Sequence, residues 1–437
     1  MKVKKFVLVL VLISALSLTL EAKYKFEKFY LSNGLTVILS PSNNSAAVCV
    51  LLYHKIGTRH DPPGLHGATY LYRNLMHLGT RTFDPYERFL FVKRHGGISN
   101  RQVKHDNSIF YQVMPEAELN NALWHESERI SSLKLTDRAI DTHKNSEYRR
   151  IYSTINGNVN AAANRWIKSV VFADTVYQTP EYGSLEAIGS FDNREIKKLY
   201  QNFKNPADIV LIIAGNFDKT MVRKSVDRYF APLPAGKRDP REKLNIPAPR
   251  KEYVYKNWLR KDIPYHFVTY GIRAPSKRSQ DHLYFNFVKY YLVDERISKL
   301  EKILSRKNNL DVTINSEYTN HFDCNALIIK ISTANRETLE TVKYVLAKEF
   351  DALLSKALSQ SELKATKSLM EIDFRKNMAL LEKRSIIAAE NFHMFADLDF
   401  EAEYIKRIRG ITTYNILDIS KKYLNEKNRV ILNVVKQ

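Results

Sequence analysis

The stretch GLHGATYLYRNLMHLGT, residues 64–80, gathers His66, Tyr70, Arg73, Asn74 and His77 along one stripe of a predicted helix. Imidazoles on a helix raise the question of metal chemistry. Two of them four residues apart reach one zinc ion at about 2 Å, while a glutamate on the same face takes a proton from the metal-bound water. His66 and His77 are eleven residues apart, or roughly 16 Å at 1.5 Å per residue. They cannot share an ion. The adjoining face carries Leu65, Ala68, Leu71, Leu75 and Met76 at steps of three and four, so the helix is amphipathic and that face is buried.

The elements that must hold this helix can be read on either side of it. YKFEKFYLSNGLTVILSPSNNSAAVCVLLYH reads as strands punctuated by Asn33-Gly34 and by a Ser/Asn turn at 42–45. Helical periodicity returns over 86–94, a strand is predicted over 108–114 and ended by Pro115, and two long helices are predicted over 117–133 and 136–155. IVLIIAGNF (209–217) is a buried-type strand followed by a helix. The second half repeats this plan in outline, with strands at YHFVTYGI, DVTINSEYT, ALIIKISTA and RVILNVV around several long helices. Strands and helices mixed without regular βαβ alternation predict an α+β fold, and two similar halves suggest an internal duplication.

The 437 residues suit two domains, and a composition of 44% hydrophobic and 26% charged residues is that of a folded chain. MKVKK followed by the apolar run FVLVLVLISALSLTL reads as a signal peptide over residues 1–22; an uncleaved anchor is the alternative. The predicted organisation is then an N-terminal domain over 23–230, a Pro-rich polar linker over 231–251 and a C-terminal domain over 252–437, exported to the periplasm. The formal charge is +21, and loss of three Lys and one Glu with residues 1–22 leaves +19. The basic residues are spread along the chain without a block or a recognition motif, so nucleic acid is not expected as a partner. Cys49 and Cys324 lie in separate apolar runs and read as buried free thiols; a single inter-domain disulfide is the alternative.

Several motifs in order carry a resemblance: NGLTVILSP, HKIGTRHDPPGLHGATYLYRNLMHLGT, RHGGISNRQVKHDNSIFYQVMP, ALWHESERISSLKL, HKNSEYRR, and YQTPEYGSLEAIGSFDNREIKKLYQNFKNPADIVLIIAGNFD. Together they resemble the insulinase/pitrilysin family of zinc peptidases, particularly its mitochondrial-processing-peptidase-like branch, and the fit extends more loosely over 24–437. The resemblance implies a clamshell half made of two similar domains, each an antiparallel-rich sheet flanked by helices. It also implies a zinc signature, His-x-x-Glu-His, shortly before the Gly-Thr, with a downstream glutamate as third ligand.

Anchored on Gly79-Thr80, the signature positions fall on Tyr70, Arg73 and Asn74, and the downstream acid falls on Glu147. Asn and neutral Tyr are poor replacements for imidazole, and Arg73 places a permanent cation where the general base belongs. The expectation is that zinc has been lost, with Arg73 paired to Glu147 if the two helices face each other. Family members hold substrate with an arginine and a tyrosine in Leu-Arg-x-x-x-Gly-Leu-x-Tyr. Here LSRKNNLDV puts Ser305 and Val312 at those places and Asn309 at the glycine, with Arg306 adjacent. His95 and His105-Asp106 fall where the family approaches its substrate, against the plainer reading of solvated loop residues. Glu126 and Glu128 read as surface or helix-pairing acids.

The expected function is that of a catalytically silent homologue acting beside an active peptidase subunit of the same family, as a heterodimer, or beside its own copy, as a homodimer. Two alternatives stay open: a scaffold or peptide-binding protein without a protease partner, and an active zinc metalloendopeptidase with atypical ligands.

Overall fold

The computed structural model describes residues 24–237, 248 and 250–437. The signal segment predicted over 1–22 and most of the linker predicted over 231–251 lie outside the described residues.

The first half builds a six-stranded sheet from β1 (Glu27–Tyr30), β2 (Thr36–Pro41), β3 (Ala47–His54), β4 (Ile98–Val103), β5 (Ser108–Pro115) and β6 (Ile209–Gly215), in the order β1-β2-β6-β3-β5-β4. The second half builds a five-stranded sheet from β7 (Val254–Arg260), β8 (His266–Ala274), β9 (Thr313–Tyr318), β10 (Asn325–Thr333) and β11 (Arg429–Lys436), in the order β7-β11-β8-β10-β9. One pair in each sheet is parallel: β2 with β6, where Thr36 faces Val210, and β7 with β11, where Val254 faces Val430. The other pairs are antiparallel. With β1 set aside, the two sheets share order and orientation, which is the duplication expected from the sequence. Both are flanked by helices, giving the predicted α+β class.

The helices of the first half are α1 (Ala68–Leu75), α2 (Glu87–Arg94), α3 (Leu119–Ser131), α4 (Asp137–Asn156), α5 (Val159–Val171), α6 (Leu185–Ser190), α7 (Asn193–Phe203) and α8 (Lys219–Phe230). Those of the second are α9 (Asp281–Val293), α10 (Arg336–Ser355), α11 (Gln360–Ala379), α12 (Leu381–Phe395), α13 (Phe400–Arg409) and α14 (Thr413–Tyr423). Between α9 and β9 the chain makes a helical turn at Lys299–Glu301 that widens into a π turn over Lys302–Lys307.

The near-continuous apolar strands follow from burial on both faces. In β6, Ile209, Leu211 and Ile213 enter the core of their own half, whereas Val210, Ile212 and Ala214 face Leu381, Ala389 and Phe392 of α12, a helix from the other half. The second sheet is treated reciprocally. Val268, Tyr270 and Ile272 of β8 face inward, and Val430, Leu432 and Val434 of β11 pack under Ala163, Ile167 and Val171 of α5. Each half lends one helix to the outer face of the other's sheet. Gly271 permits the approach of α5, since a Cβ there would meet Val171 and Ile167 methyls at 2.6 and 2.7 Å.

Cys49 and Cys324 are buried and free. Burial pushes both thiols up to about 12, and the alternative inter-domain disulfide is not formed.

Candidate functional site

Helix α1 is placed by polar contacts at both ends. Gly67, at φ 97°, forms its N-cap, and a Cβ there would lie 2.3 Å from the Tyr182 carbonyl oxygen. The buried Asp61 carboxylate accepts from the backbone N–H groups of Gly67 (2.7 Å) and Thr69 (3.0 Å), satisfying donors that the first helical turn leaves free. Burial outweighs these bonds and pushes the Asp61 carboxyl up to about 6. At the other end the Met76 carbonyl accepts from Arg88 Nη2 (2.8 Å) and Arg129 Nη1 (2.7 Å), cations that suit the negative end of a helix dipole. Arg129 is held in turn by Glu126, from Nε to Oε2 at 2.7 Å, and Gln112 Nε2 donates to the same carboxylate at 2.5 Å. Glu126 and Glu128 are therefore buried, correcting the surface half of their reading; Glu126, paired with Arg129 on its own helix, is the anionic core of the support behind α1.

The buried face of α1 is the predicted one, with Ala68, Leu71, Tyr72, Leu75 and Met76 inside. The polar stripe meets α4. Asn74 Nδ2 donates to Glu147 Oε1 at 2.5 Å, and Arg150 donates to Glu147 Oε2 from Nε (2.9 Å) and Nη2 (2.7 Å). Arg101, from β4, donates through Nη2 to Asn74 Oδ1 at 3.1 Å. The Tyr70 hydroxyl accepts from Arg73 Nη1 (3.2 Å) and Arg150 Nη2 (2.9 Å). Tyr70, Arg73, Asn74 and Glu147 are thus brought together, but not in the expected pairing. Arg73 makes no ion pair with Glu147; the acid is taken by Arg150, one turn along its own helix. The geometric reason is that an i,i+3 partner reaches the carboxylate without crossing between helices.

These donors do not fit a zinc ion. Zinc needs three or four ligands with free lone pairs, whereas both Glu147 oxygens, the Asn74 oxygen and the Tyr70 hydroxyl already accept from protein donors. The donors include three guanidiniums, from Arg73, Arg101 and Arg150. Burial, then the charges of Arg73 and Arg129, hold the Arg101 guanidinium below its ordinary range, the mark of a cation among cations. Among the described residues no group of three or more His, Cys, Asp and Glu side chains is arranged to hold a metal. Of the two histidines in the stretch, His66 is exposed. His77 is held neutral, its pKa driven far down by burial and by Arg129, Arg101 and Arg88.

The remaining predicted residues divide. His95 is partly exposed, stacked on Phe91 at 3.9 Å with Nδ1 against the Phe91 carbonyl. His105 and Asp106 are buried, which overturns the solvated-loop reading. Asp106 belongs to a junction between the two halves, where Arg59 Nη1 donates to Asp106 Oδ1 (2.5 Å) and Asp323 Oδ2 (2.6 Å), and the Tyr177 hydroxyl lies within 3.1 Å of both acids. His105 stands 3.4 Å from Glu181 through Nδ1 and bonds the Thr179 carbonyl through Nε2. Burial would lower its pKa, yet Glu181 and Thr179 raise it. Neither Ser305 nor Val312 lines the cleft beside α1: Ser305 sits in the π turn and Val312 packs on the core of the second half. Asn309, at the glycine place of the resemblance, is left-handed at φ 51°, a conformation Asn tolerates.

That cleft, of about 480 Å³, opens between α4, α5 and the end of β9 and includes Tyr70, Arg150 and Glu317–His321. Sequence reasoning missed Arg150, Arg101 and Arg59. Arg150 had a readable signal, three residues after Glu147 on one helix. Arg101 and Arg59 had none, since their partners are 27 and 264 residues away.

Two family models match the chain: insulinase (peptidase family M16) over residues 36–180 and the peptidase M16 inactive domain over residues 190–370. The chain is 24% identical to the zinc protease PqqE of Helicobacter pylori, over 89% of this chain and 86% of that protein. It is 22% identical to an uncharacterized zinc protease of Rickettsia bellii, over 92% and 95%. Among solved structures, a protease from Helicobacter pylori superposes with a TM-score of 0.86 at 17% identity, covering 94% of this chain and 99% of that one. A peptidase M16 inactive domain from Pseudomonas fluorescens superposes at 0.79 and 14% identity, covering 94% and 98%.

Proposed function

From the premise that this chain belongs to the insulinase/pitrilysin (M16) peptidase family, we propose that it is an exported, catalytically silent member that holds polypeptide beside an active, zinc-bearing chain of the same family. The observation that carries the reading is the occupation of Glu147. Its carboxylate is bound by Arg150 and Asn74, and Arg73 stands where a general base would be needed, so metal, activated water and proton acceptor all lack a place. What remains is a supported helix, a polar cleft and a two-domain wall. The apolar segment at the N-terminus supports export. The name of the periplasmic protease PqqL from Escherichia coli, whose structure superposes with a TM-score of 0.77 over 94% of this chain and 48% of that one, accords with it.

A second reading, an active zinc metalloendopeptidase with atypical ligands, is favoured by the relatives named zinc proteases. Metal content and peptide cleavage, measured on the chain purified from its native envelope alone and with whatever co-purifies, separate the two. The proposal expects no stoichiometric zinc and no cleavage by the chain alone, with chelator-sensitive cleavage in the complex. One zinc per chain, removed by chelator together with cleavage by the chain alone, would sink it.

A further inference from the structure

The cleft beside α1 carries a charge imbalance that the fold does not use. Its two carboxylates are both committed: Glu317 accepts from Lys168 (2.6 Å) and Asn164 (3.0 Å), and Glu181 faces His105. The acids of α4 are committed as well: Asp137 to Lys197, Asp141 to Lys144 and Glu147 to Arg150. The cations are in excess. Arg165 lines the cleft with no carboxylate partner among the described residues, and Arg73, at its border through Tyr70, has none either. Lys104 reaches into the same space with only a 3.8 Å contact to Glu390.

Aromatic faces accompany these charges. Tyr70, Tyr182 and Tyr318 line the cleft; Tyr70 meets Tyr182 edge to face at 6.4 Å, and the Arg150 guanidinium lies 6.0 Å from the Tyr70 ring centre. A volume of about 480 Å³ lies within the range of ligand sites. Guanidiniums recognise carboxylates through paired, charge-assisted hydrogen bonds, and a half-enclosed site screens such bonds less than open solvent does.

We propose that this cleft selects an acidic segment of polypeptide, whose Asp or Glu side chains engage Arg165 and Arg73 while its backbone and apolar groups lie on the tyrosines. The proposal rests on the reading of the chain as a polypeptide-holding protein and specifies what it holds.

The test is fluorescence anisotropy on the full mature chain with two labelled peptides of equal length, one carrying several Glu residues and the other Gln at the same places. The Glu peptide is expected to bind at least tenfold more tightly, with an affinity that falls as salt rises. The double variant Arg73→Gln/Arg165→Gln, neither member of which holds Glu147, is expected to abolish the difference while its thermal unfolding stays that of the parent. Equal binding of the two peptides overturns the acidic preference but leaves the polypeptide-holding function standing. Equal competition by a single-stranded oligonucleotide overturns it too, since the cleft would then attract any polyanion. Chelator-sensitive cleavage of either peptide by the chain alone would instead overturn the function on which the proposal rests.

Discussion

The two halves pack the same pair of helices in different ways. α1 follows β3 and lies on α4; α9 follows β8 and lies on α11. In the second half the pair is bolted across elements: the Tyr290 hydroxyl donates to Asp373 at 2.8 Å, and Arg296, from the turn after α9, donates to the same carboxylate from Nη1 (2.8 Å) and Nη2 (2.6 Å). In the first half the corresponding acid, Glu147, takes its arginine from its own helix and meets α1 through Asn74, while that arginine, Arg150, donates to Tyr70 of α1 at 2.9 Å. α1 has eight residues against thirteen for α9, and it depends on Asp61, Arg88 and Arg129 to hold its ends. The polar stripe of α1 meets α4 at Asn74 and Tyr70, and Arg73 in the same stripe pairs with no acid of α4. A cluster that joins α1 to α4 by these two bonds, leaves Arg73 without an acid and sits at an open cleft is placed for contact with something else.

The comparison can be broken most sharply by placing metal ligands on α1. The triple substitution Tyr70→His, Arg73→Glu, Asn74→His rebuilds His-x-x-Glu-His opposite Glu147, and zinc measured after gel filtration is expected to rise from background to one per chain. Failure to take up zinc would mean that Arg150 and Arg101 alone keep the site closed.

Next comes the junction that couples the halves. Arg59→Met leaves Asp106 and Asp323 buried with only the longer 3.7 Å contact of Arg278 to Asp323, a loss of about 3 kcal/mol that urea unfolding should reveal, with the two halves losing structure in separate steps.

The bolting itself is tested by a pair of variants. Asp373→Asn removes bonds linking α9, the following turn and α11 and is expected to cost about 2 kcal/mol. Glu147→Gln loses chiefly a local pair with a half-exposed arginine and is expected to cost about 1 kcal/mol or less. Equal losses would erase the distinction between the halves.

The smallest effect is in pH. Burial raises the Asp61 carboxyl to about 6 from an ordinary 3.8, so the folded chain holds this proton where the unfolded chain has released it. Its contribution to stability is present in full below the ordinary value and is lost as pH rises through about 6. Between pH 5 and 7 the parent should lose about 1 kcal/mol relative to Asp61→Asn, compared by thermal unfolding at each pH. A constant difference between the two proteins would show that Asp61 does not titrate there.

The legible part of the site was local. The resemblance, anchored on Gly79-Thr80, pointed to α1 as the helix to inspect, and the 3.6-residue period fixed which face of it is buried, because side-chain direction on a helix depends only on position along it. Tyr70, Arg73, Asn74 and Glu147 could therefore be named together. Their pairing could not, since choosing between Arg73 and Arg150 for Glu147 depends on an interhelical distance that periodicity does not contain. The same limit left His105 and Asp106 between cleft and solvent, and Glu126 and Glu128 between surface and helix pairing: a charged residue in a polar stretch looks exposed until a distant partner covers it.

By itself, then, the sequence determined most of the strands, the long helices beside them and the repeat of one plan in two halves, all matters of spacing and identity along the chain; it gave no reading of β4, β7 or α5. Only the tertiary structure decided that each half covers the other's sheet with a helix, that Arg59 joins Asp106 to Asp323, and that the cations around Tyr70 outnumber the acids left to meet them. These depend on which surfaces and charges are brought within a few ångströms across hundreds of residues, where burial and pairing energies are set.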